Sequence, residues 1–158
     1  MSEGLMNFKK CDEFVAEFEK VIEKPVKSAS KVYYAGIDLG TACVVMAVLD
    51  ENYRPVAGAY RYADVVRDGM VVDYIGAIRT VKSMKEKIEE ELGTELLYAA
   101  AALPPGTDAL DGGAVSNVCR AAGFEITSLM EEPAAANRLL KIGSGAIVDN
   151  LADRKSVV

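Results

Sequence analysis

The first regular pattern of apolar and polar positions lies in "NFKKCDEFVAEFEKVIEK", residues 7–24. Phe14, Phe18, Val21 and Ile22 fall on one helical face, and lysines and glutamates occupy the opposite one. This spacing predicts a short amphipathic helix. Pro25 and "KSASK" follow and indicate a linker, so we assign residues 1–30 to a helix and its linker.

From Lys31 the pattern changes to that of strands. "KVYYAGIDL" and "ACVVMAVLD" are apolar almost throughout, which is typical of strands inside a sheet, and a Gly-Thr turn joins them. "NYRP" then turns the chain into a third predicted strand, "PVAGAY". In "VVRDGMVV", Asp68 and Gly69 lie between β-branched residues, and this arrangement predicts a tight hairpin.

The second half alternates helices with strands. Asp73 is placed to cap a helix that ends at Gly93, and "ELLYAAAAL" predicts a buried strand after it. A helix over 114–122, the strand "FEITSL", a helix that opens at "EEPAAANRLL" and the strand "GAIVD" complete the chain. Three strands followed by helix, strand, helix, strand and helix predict the α/β class, with helices packed on a mixed sheet.

Composition limits the function classes. The 158 residues are 51% hydrophobic, which suits one ordinary domain, and the net charge of -6 disfavours a nucleic-acid partner. There is no histidine, so triads with an imidazole base and histidine-ligated zinc sites are excluded. The three cysteines form no CxxC pair and suggest buried thiols. Neither a signal-peptide core nor a bilayer-length apolar run is evident, so we expect a soluble intracellular protein.

The segment "GIDLGTA" carries the candidate chemistry. Asp38 closes a strand of apolar residues, where a carboxylate is costly unless another group compensates for its desolvation. Gly40 permits a tight turn, and the amides of Gly40, Thr41 and Ala42 are then free to bind an anion. Asp38 is a hard oxygen ligand that suits Mg²⁺ beside that anion. The alternative is an ordinary hairpin turn made by Asp and Gly.

A second segment, "LPPGTDALDGGAVSNVCRAAGFEITSLMEEPAAA", resembles the actin-like ATPase superfamily, and in particular the nucleotide-binding domain of DnaK-type chaperones. In that superfamily a "NEPTAA" segment follows the same elements. The resemblance implies one ribonuclease-H-like lobe of the actin-like ATPase fold, with element order βββαβαβα. It also implies that Glu132 is the glutamate that faces the attacking water, although Glu131 and Ala134 replace the asparagine and threonine of that motif.

The segments "YADVVRDGMVVDYIGAI", "PPGTD", "AGFEITSLMEEPAAA" and "GAIVD" are similar to the EutJ family of ethanolamine utilisation, over roughly residues 31–149. This resemblance implies a cytoplasmic, chaperone-like protein that binds ATP with Mg²⁺ and is associated with a bacterial microcompartment. The implied partners are ethanolamine-catabolic enzymes or the microcompartment shell, with neither nucleic acid nor membrane among them. Whether the chain hydrolyses ATP stays open.

Two other functions stay open. The first is a non-catalytic interaction module, in which the helix over residues 11–24 directs the protein to the microcompartment shell. The alternative for that helix is packing on its own domain. The second is an actin-like filament or pilus-type scaffold protein, which shares the same motifs.

The end of the chain raises a separate question. We assign residues 31–145 to the first lobe and 146–158 to the start of a second one, in which Asp149 matches the second phosphate-binding aspartate of the superfamily. A glycine-rich turn is expected after Asp149, but the chain reads "NLADRKSVV". We therefore expect a truncated fragment without its second lobe, and little or no nucleotide binding. "DRKSVV" is also the translation of a common sequencing adapter, so the tail is either an artefact or a natural short end.

Overall fold

The computed structural model describes residues 8–67, 70–104, 109–143, 147–150 and 155–157, with the backbone alone at 109–112, 148–150 and 155–157. Its helices are α1 (Phe8–Glu23), α2 (Tyr74–Leu92), α3 (Ala109–Ala121) and α4 (Glu132–Leu140). Its strands are β1 (Tyr34–Leu39), β2 (Cys43–Leu49), β3 (Pro55–Tyr62), β4 (Val66–Arg67), β5 (Met70–Val71), β6 (Tyr98–Leu103), β7 (Glu125–Glu131), β8 (Val148–Asn150) and β9 (Lys155–Val157).

Five strands form one mixed sheet in the order β3-β2-β1-β6-β7. β1 and β2 pair antiparallel, as do β2 and β3, whereas β1, β6 and β7 run parallel to one another. Helices α2 and α3 connect the parallel strands, as crossover connections must. The predicted α/β class and the predicted order of elements are therefore confirmed.

One face of this sheet forms the hydrophobic core. Although "CVVMAVL" is apolar throughout, β2 alternates, because Val44, Met46 and Val48 are fully buried and the residues between them are half-buried. The core face packs on α2 and α3, and its contributors from the sheet and the two helices include Ile37, Leu39, Val44, Met46, Val48, Ala99, Ala101, Ala77, Val81, Met84, Ile88, Val115, Val118 and Cys119. Burial raises the pKa of the Cys119 thiol to about 12, so the prediction of buried thiols is confirmed for Cys119, whereas Cys11 and Cys43 are only half-buried.

The caps of α2 are those that the sequence predicts. The Asp73 side chain accepts a hydrogen bond from the Gly76 amide at 2.8 Å, and Gly93 ends the helix with φ of 72°. Helix α3 differs, because it begins at Ala109 and not at Ala114. Gly112 and Gly113 lower the intrinsic helix propensity there, but the buried side chains from Val115 onward hold the helix in place.

Helix α1 packs on β3, on the face of the sheet opposite to α2. A Cβ atom placed on Gly58 of β3 would lie 2.4 Å from the Phe18 ring and 3.1 Å from Ile22 Cγ1, so these side chains rest directly on the strand. The segment after the helix is also fixed, since Val26 donates to the Val56 carbonyl at 2.7 Å. Of the two alternatives for this helix, the structure therefore shows packing on its own lobe.

In the described part of the chain, two hairpins lie outside the main sheet. The hairpin predicted at "VVRDGMVV" is confirmed, because Val66 pairs with Val71 and Arg67 with Met70, although Asp68 and Gly69 lie outside the described residues. The strand predicted at "GAIVD" is present as β8, which pairs antiparallel with β9. Among the described residues, no helix has both the length and the apolar composition that crossing a bilayer requires.

The close contact at Gly58 makes a testable prediction. Gly58→Ala places a methyl group against Phe18 and Ile22, so we expect the free energy of unfolding to fall by about 1–3 kcal/mol and the amides of α1 to exchange faster with deuterium. Gly36→Ala in β1 is the matched control, because a Cβ atom there meets nothing within 4 Å. Equal stability and equal α1 exchange in the two variants would show that α1 does not rest on Gly58.

Candidate functional site

The carboxyl ends of the three parallel strands meet at one edge of the sheet. Asp38 near the end of β1 pairs with Ala102 of β6, and Ala102 pairs with Met130 of β7. Glu132 begins α4 two residues beyond Met130. Asp38 of β1 and Glu132, which directly follows β7, thus lie at the same edge, with β6 between the two strands. This edge is the position where α/β sheets usually bind ligands.

Asp38 lies on the face of the sheet opposite to the core. Its neighbours Ile37 and Leu39 point into the core and are almost fully buried, so the alternation of the strand turns Asp38 toward the α4 side. Asp38 is half-buried, and its Oδ1 atom is shielded from solvent, as is Oε1 of Glu132. Both residues interact with other groups of the chain. Two carboxylates withdrawn from water at one edge form a site that favours cations.

The turn over residues 40–42 requires glycine at its first position. A Cβ atom on Gly40 would lie 2.8 Å from the carbonyl oxygen of Cys43, and this oxygen belongs to the backbone. The carbonyl of Ala42 accepts a hydrogen bond from Ala63 at 3.3 Å, which ties the turn to the end of β3. The amides of Gly40, Thr41 and Ala42 donate to no backbone carbonyl of the described residues, so they remain available to an anion.

Asp149 is the predicted site residue that the structure places least completely. Its backbone lies in β8, opposite Ser156 of β9, and its side chain is outside what the structure describes. β8 contacts α4, the helix that begins at Glu132. The structure therefore brings Asp38, the 40–42 turn and Glu132 to one edge, whereas the role of the Asp149 carboxylate stays a prediction.

A cavity of about 390 Å³ adjoins Asp38 on the α4 side of the sheet. Small residues form most of its sheet wall, and its lining includes Gly36, Ala47, Ala100, Ala102, Ser128 and Met130. Ala135 and Arg138 of α4 also line it, so this helix forms the wall that faces the sheet. Arg138 is not among the site residues predicted from the sequence. The spacing of Glu132, Ala135 and Arg138 at i, i+3 and i+6 puts all three on one side of α4, but it does not tell what that side faces.

The donor set decides which metal fits this edge. Among the described residues there is no group of three or more acidic or cysteine side chains placed to enclose a metal ion. A Zn²⁺ or Ca²⁺ cage is therefore not formed by those residues. Mg²⁺ keeps several of its waters and binds through one or two carboxylates together with substrate phosphates. Asp38 beside a turn with available amides fits Mg²⁺ held in that way.

Comparisons with known proteins agree on the kind of lobe. The ethanolamine utilization protein EutJ of Salmonella typhimurium is 41% identical over 116 residues, which are 73% of this chain. The crystal structure of EutJ from Carboxydothermus hydrogenoformans superposes with a TM-score of 0.84 at 43% identity and covers 90% of this chain. The chain spans 40% of the Salmonella protein and 53% of the Carboxydothermus chain. A comparison with protein-family models finds no match.

More distant structures establish the fold alone. MreB5 of Spiroplasma citri bound to ADP superposes over 75% of this chain and 45% of its own, with a TM-score of 0.55 at 19% identity. The PilM-PilN type IV pilus biogenesis complex superposes over 81% of this chain and 58% of its own, with a TM-score of 0.58 at 14% identity. The predicted fold, one ribonuclease-H-like lobe of the actin-like ATPase type, is therefore confirmed.

The tight turn at Gly40 can be tested directly. Gly40→Ala pushes a methyl group against a backbone oxygen that cannot move alone, so we expect the turn to shift and the free energy of unfolding to fall by about 1–3 kcal/mol. Urea unfolding measures the loss, and amide NMR shifts should change most at Thr41, Ala42 and Cys43.

Gly143→Ala is the control for this prediction, because a Cβ atom at Gly143 meets nothing within 4 Å. If Gly40→Ala kept both the stability and the amide shifts of the parent chain, the close approach of Gly40 to Cys43 would not shape this turn.

Proposed function

Because this chain is a homologue of the EutJ proteins over 73% of its length, we propose that it supplies half of a Mg-ATP site in a chaperone-like protein of ethanolamine utilisation. The observation that carries the proposal is the meeting of Asp38, the 40–42 turn and Glu132 at the carboxyl edge of one sheet. The fold shared with MreB5, which was crystallised with ADP, supports a nucleotide as the ligand.

Each part of this edge has a task in the proposal. Asp38 would hold Mg²⁺ through the waters of the metal. The amides of Gly40, Thr41 and Ala42 would donate to the phosphate oxygens, which a backbone turn can do without any cationic side chain. Glu132 would accept a hydrogen bond from the attacking water and orient it. Mg²⁺, when bound, neutralises charge that develops on the phosphates.

The proposal also needs a second lobe. Phosphoryl transfer depends on positioning and electrostatic stabilisation from several sides, so one phosphate turn alone should bind weakly. Asp149 would approach the phosphates from the side opposite to Asp38. ATP binding, a chaperone role, a cytoplasmic location and the ethanolamine enzymes or shell as partners all belong to this proposal for the complete protein.

The helical-tag alternative receives less support from the contacts. A shell-targeting helix has to present its apolar face to a partner, whereas Phe18 and Ile22 of α1 face Gly58 of β3. The filament and pilus-scaffold alternative shares the fold, but no contact in the described lobe favours it over the EutJ assignment.

A pair of titrations tests the nucleotide proposal. We expect calorimetry to detect no micromolar Mg-ATP affinity for the 158-residue chain. A chimera that joins residues 1–149 to the remaining carboxyl-terminal sequence of the Salmonella relative should bind Mg-ATP, because it supplies a second lobe. Glu132→Gln in the chimera should keep binding and lower single-turnover hydrolysis by roughly 100-fold, the scale of general base catalysis.

The control is Glu131→Gln, which removes the neighbouring carboxylate from the exposed residue before α4 and should leave hydrolysis close to that of the parent chimera. Micromolar binding by the 158-residue chain would contradict the need for a second lobe. A folded chimera that did not bind Mg-ATP would contradict the proposal of a nucleotide site.

A further inference from the structure

β3 is one of the two edge strands of the main sheet, and two hydrogen bonds show in which direction its backbone groups point along its outer edge. The Ala63 amide donates inward to Ala42, next to β2, whereas the Val56 carbonyl accepts from Val26, outside the sheet. Backbone groups alternate in direction along a strand. The amides and carbonyls of Gly58, Tyr60 and Tyr62 therefore point outward, away from β2.

Part of this outer edge of β3 is already paired with another segment of the chain. Val26, in the segment that follows α1, pairs with Val56 through a 2.7 Å hydrogen bond, so extended backbone can lie beside β3. No backbone hydrogen bond among the described residues occupies the outward groups of Gly58, Tyr60 and Tyr62. An edge of this kind is a template for another strand.

A groove of about 480 Å³ runs along this part of the edge. Ile22 of α1 forms one wall and Lys87 of α2 the other, and residues 58–62 of β3 form the floor. The two walls differ in character. Gly58 faces α1 and its apolar side chains, whereas Ala57 and Ala59 belong to the core on the α2 side. Because side chains alternate along a strand, Arg61 lies on the same side as Ala57 and Ala59.

The α2 side of the groove is cationic in a protein whose net charge is -6. Arg61 is exposed and forms no ion pair with any described residue. Lys87 is paired with Glu91 at 3.6 Å, but both side chains are substantially exposed, so this pair is weak. A ligand carboxylate on this side would meet two positive groups.

We propose that this groove, the β3 edge groove, binds an extended peptide segment with alternating apolar and acidic residues, which adds to β3 as a further strand. Its backbone pairs with Gly58, Tyr60 and Tyr62. Its apolar side chains contact Ile22 and the tyrosines, and its carboxylates face Arg61 and Lys87. A second copy of this chain fits less well, because pairing β3 with β3 would bring the cations of both copies to one seam. The inference is independent of nucleotide binding.

The test uses the full 158-residue chain and a fluorescent probe peptide of about eight residues that alternates valine with glutamate, close to the usual length of a strand. Fluorescence anisotropy measures binding. We expect Arg61→Glu with Lys87→Glu to weaken it by about tenfold or more, since two charge-assisted contacts become repulsive. Lys9→Glu with Lys82→Glu is the matched control, because it makes the same charge change at exposed positions on α1 and α2 that do not line the groove.

Two further probes separate strand addition from simple charge attraction. The same peptide with N-methyl groups on the amides of one edge loses its backbone donors and should bind at least about tenfold more weakly. A valine-lysine peptide should not bind. Hydrogen exchange should slow at Gly58, Tyr60 and Tyr62 when the parent peptide is added. The proposal would be overturned if the N-methylated peptide bound as well as the parent peptide, or if both charge variants weakened binding equally. It would also be overturned if these amides exchanged slowly without peptide because the chain forms dimers.

Discussion

The parallel pairing of β1 with β6 is the contact on which the rest of this lobe depends. It brings the first, antiparallel half of the sheet into register with the second, parallel half, through Ala35 opposite Ala99 and Asp38 opposite Ala102. A parallel pair requires a long crossover, and the segment between the two strands supplies α2, which covers the core face. Together with the parallel pairing of β6 with β7, the pairing of β1 with β6 brings the carboxyl ends of all three strands to one edge, so the pairing that forms the fold also forms the site.

Placement of Asp38 follows from that pairing together with strand alternation. A shift of β1 by one residue would turn Asp38 into the core and Leu39 out of it, at a high desolvation cost. The register of β1 therefore keeps Leu39 in the core and Asp38 at the site. Because Gly40 must approach the Cys43 carbonyl closely, the turn is fixed at the position where Asp38 leaves the strand. The candidate site is thus determined by backbone geometry more than by side-chain packing.

The sequence predicted most of the fold because local signals agreed with the tertiary structure. The caps at Asp73 and Gly93, the hairpin at residues 66–71 and the order of the sheet elements were all predictable, since turn chemistry and periodicity are local properties. The start of α3 was not, because packing of Val118 and Cys119 overrides the low helix propensity of the glycines.

Less of the candidate site and of the surface could be predicted from the sequence. Asp38 and Glu132 could be identified because a carboxylate after an apolar strand is unusual and a motif supported each residue. Arg138 could not, since its approach to the cavity depends on how α4 packs against β6 and β7. The β3 edge groove could not be predicted either, because it also depends on tertiary packing. The sequence does not tell which strand lies at the edge of the sheet, or that α1 and α2 flank that strand.

The most direct measurement is the Mg-ATP affinity of the two-lobed chimera with Asp38→Asn, by calorimetry with and without a magnesium chelator. Asn preserves shape but removes the charge that, in the proposal, would orient the waters of the metal, so we expect an affinity loss of about 10- to 100-fold in Mg²⁺ and little change in chelator. The account would be contradicted if this variant, folded as stably as the parent, bound Mg-ATP equally well.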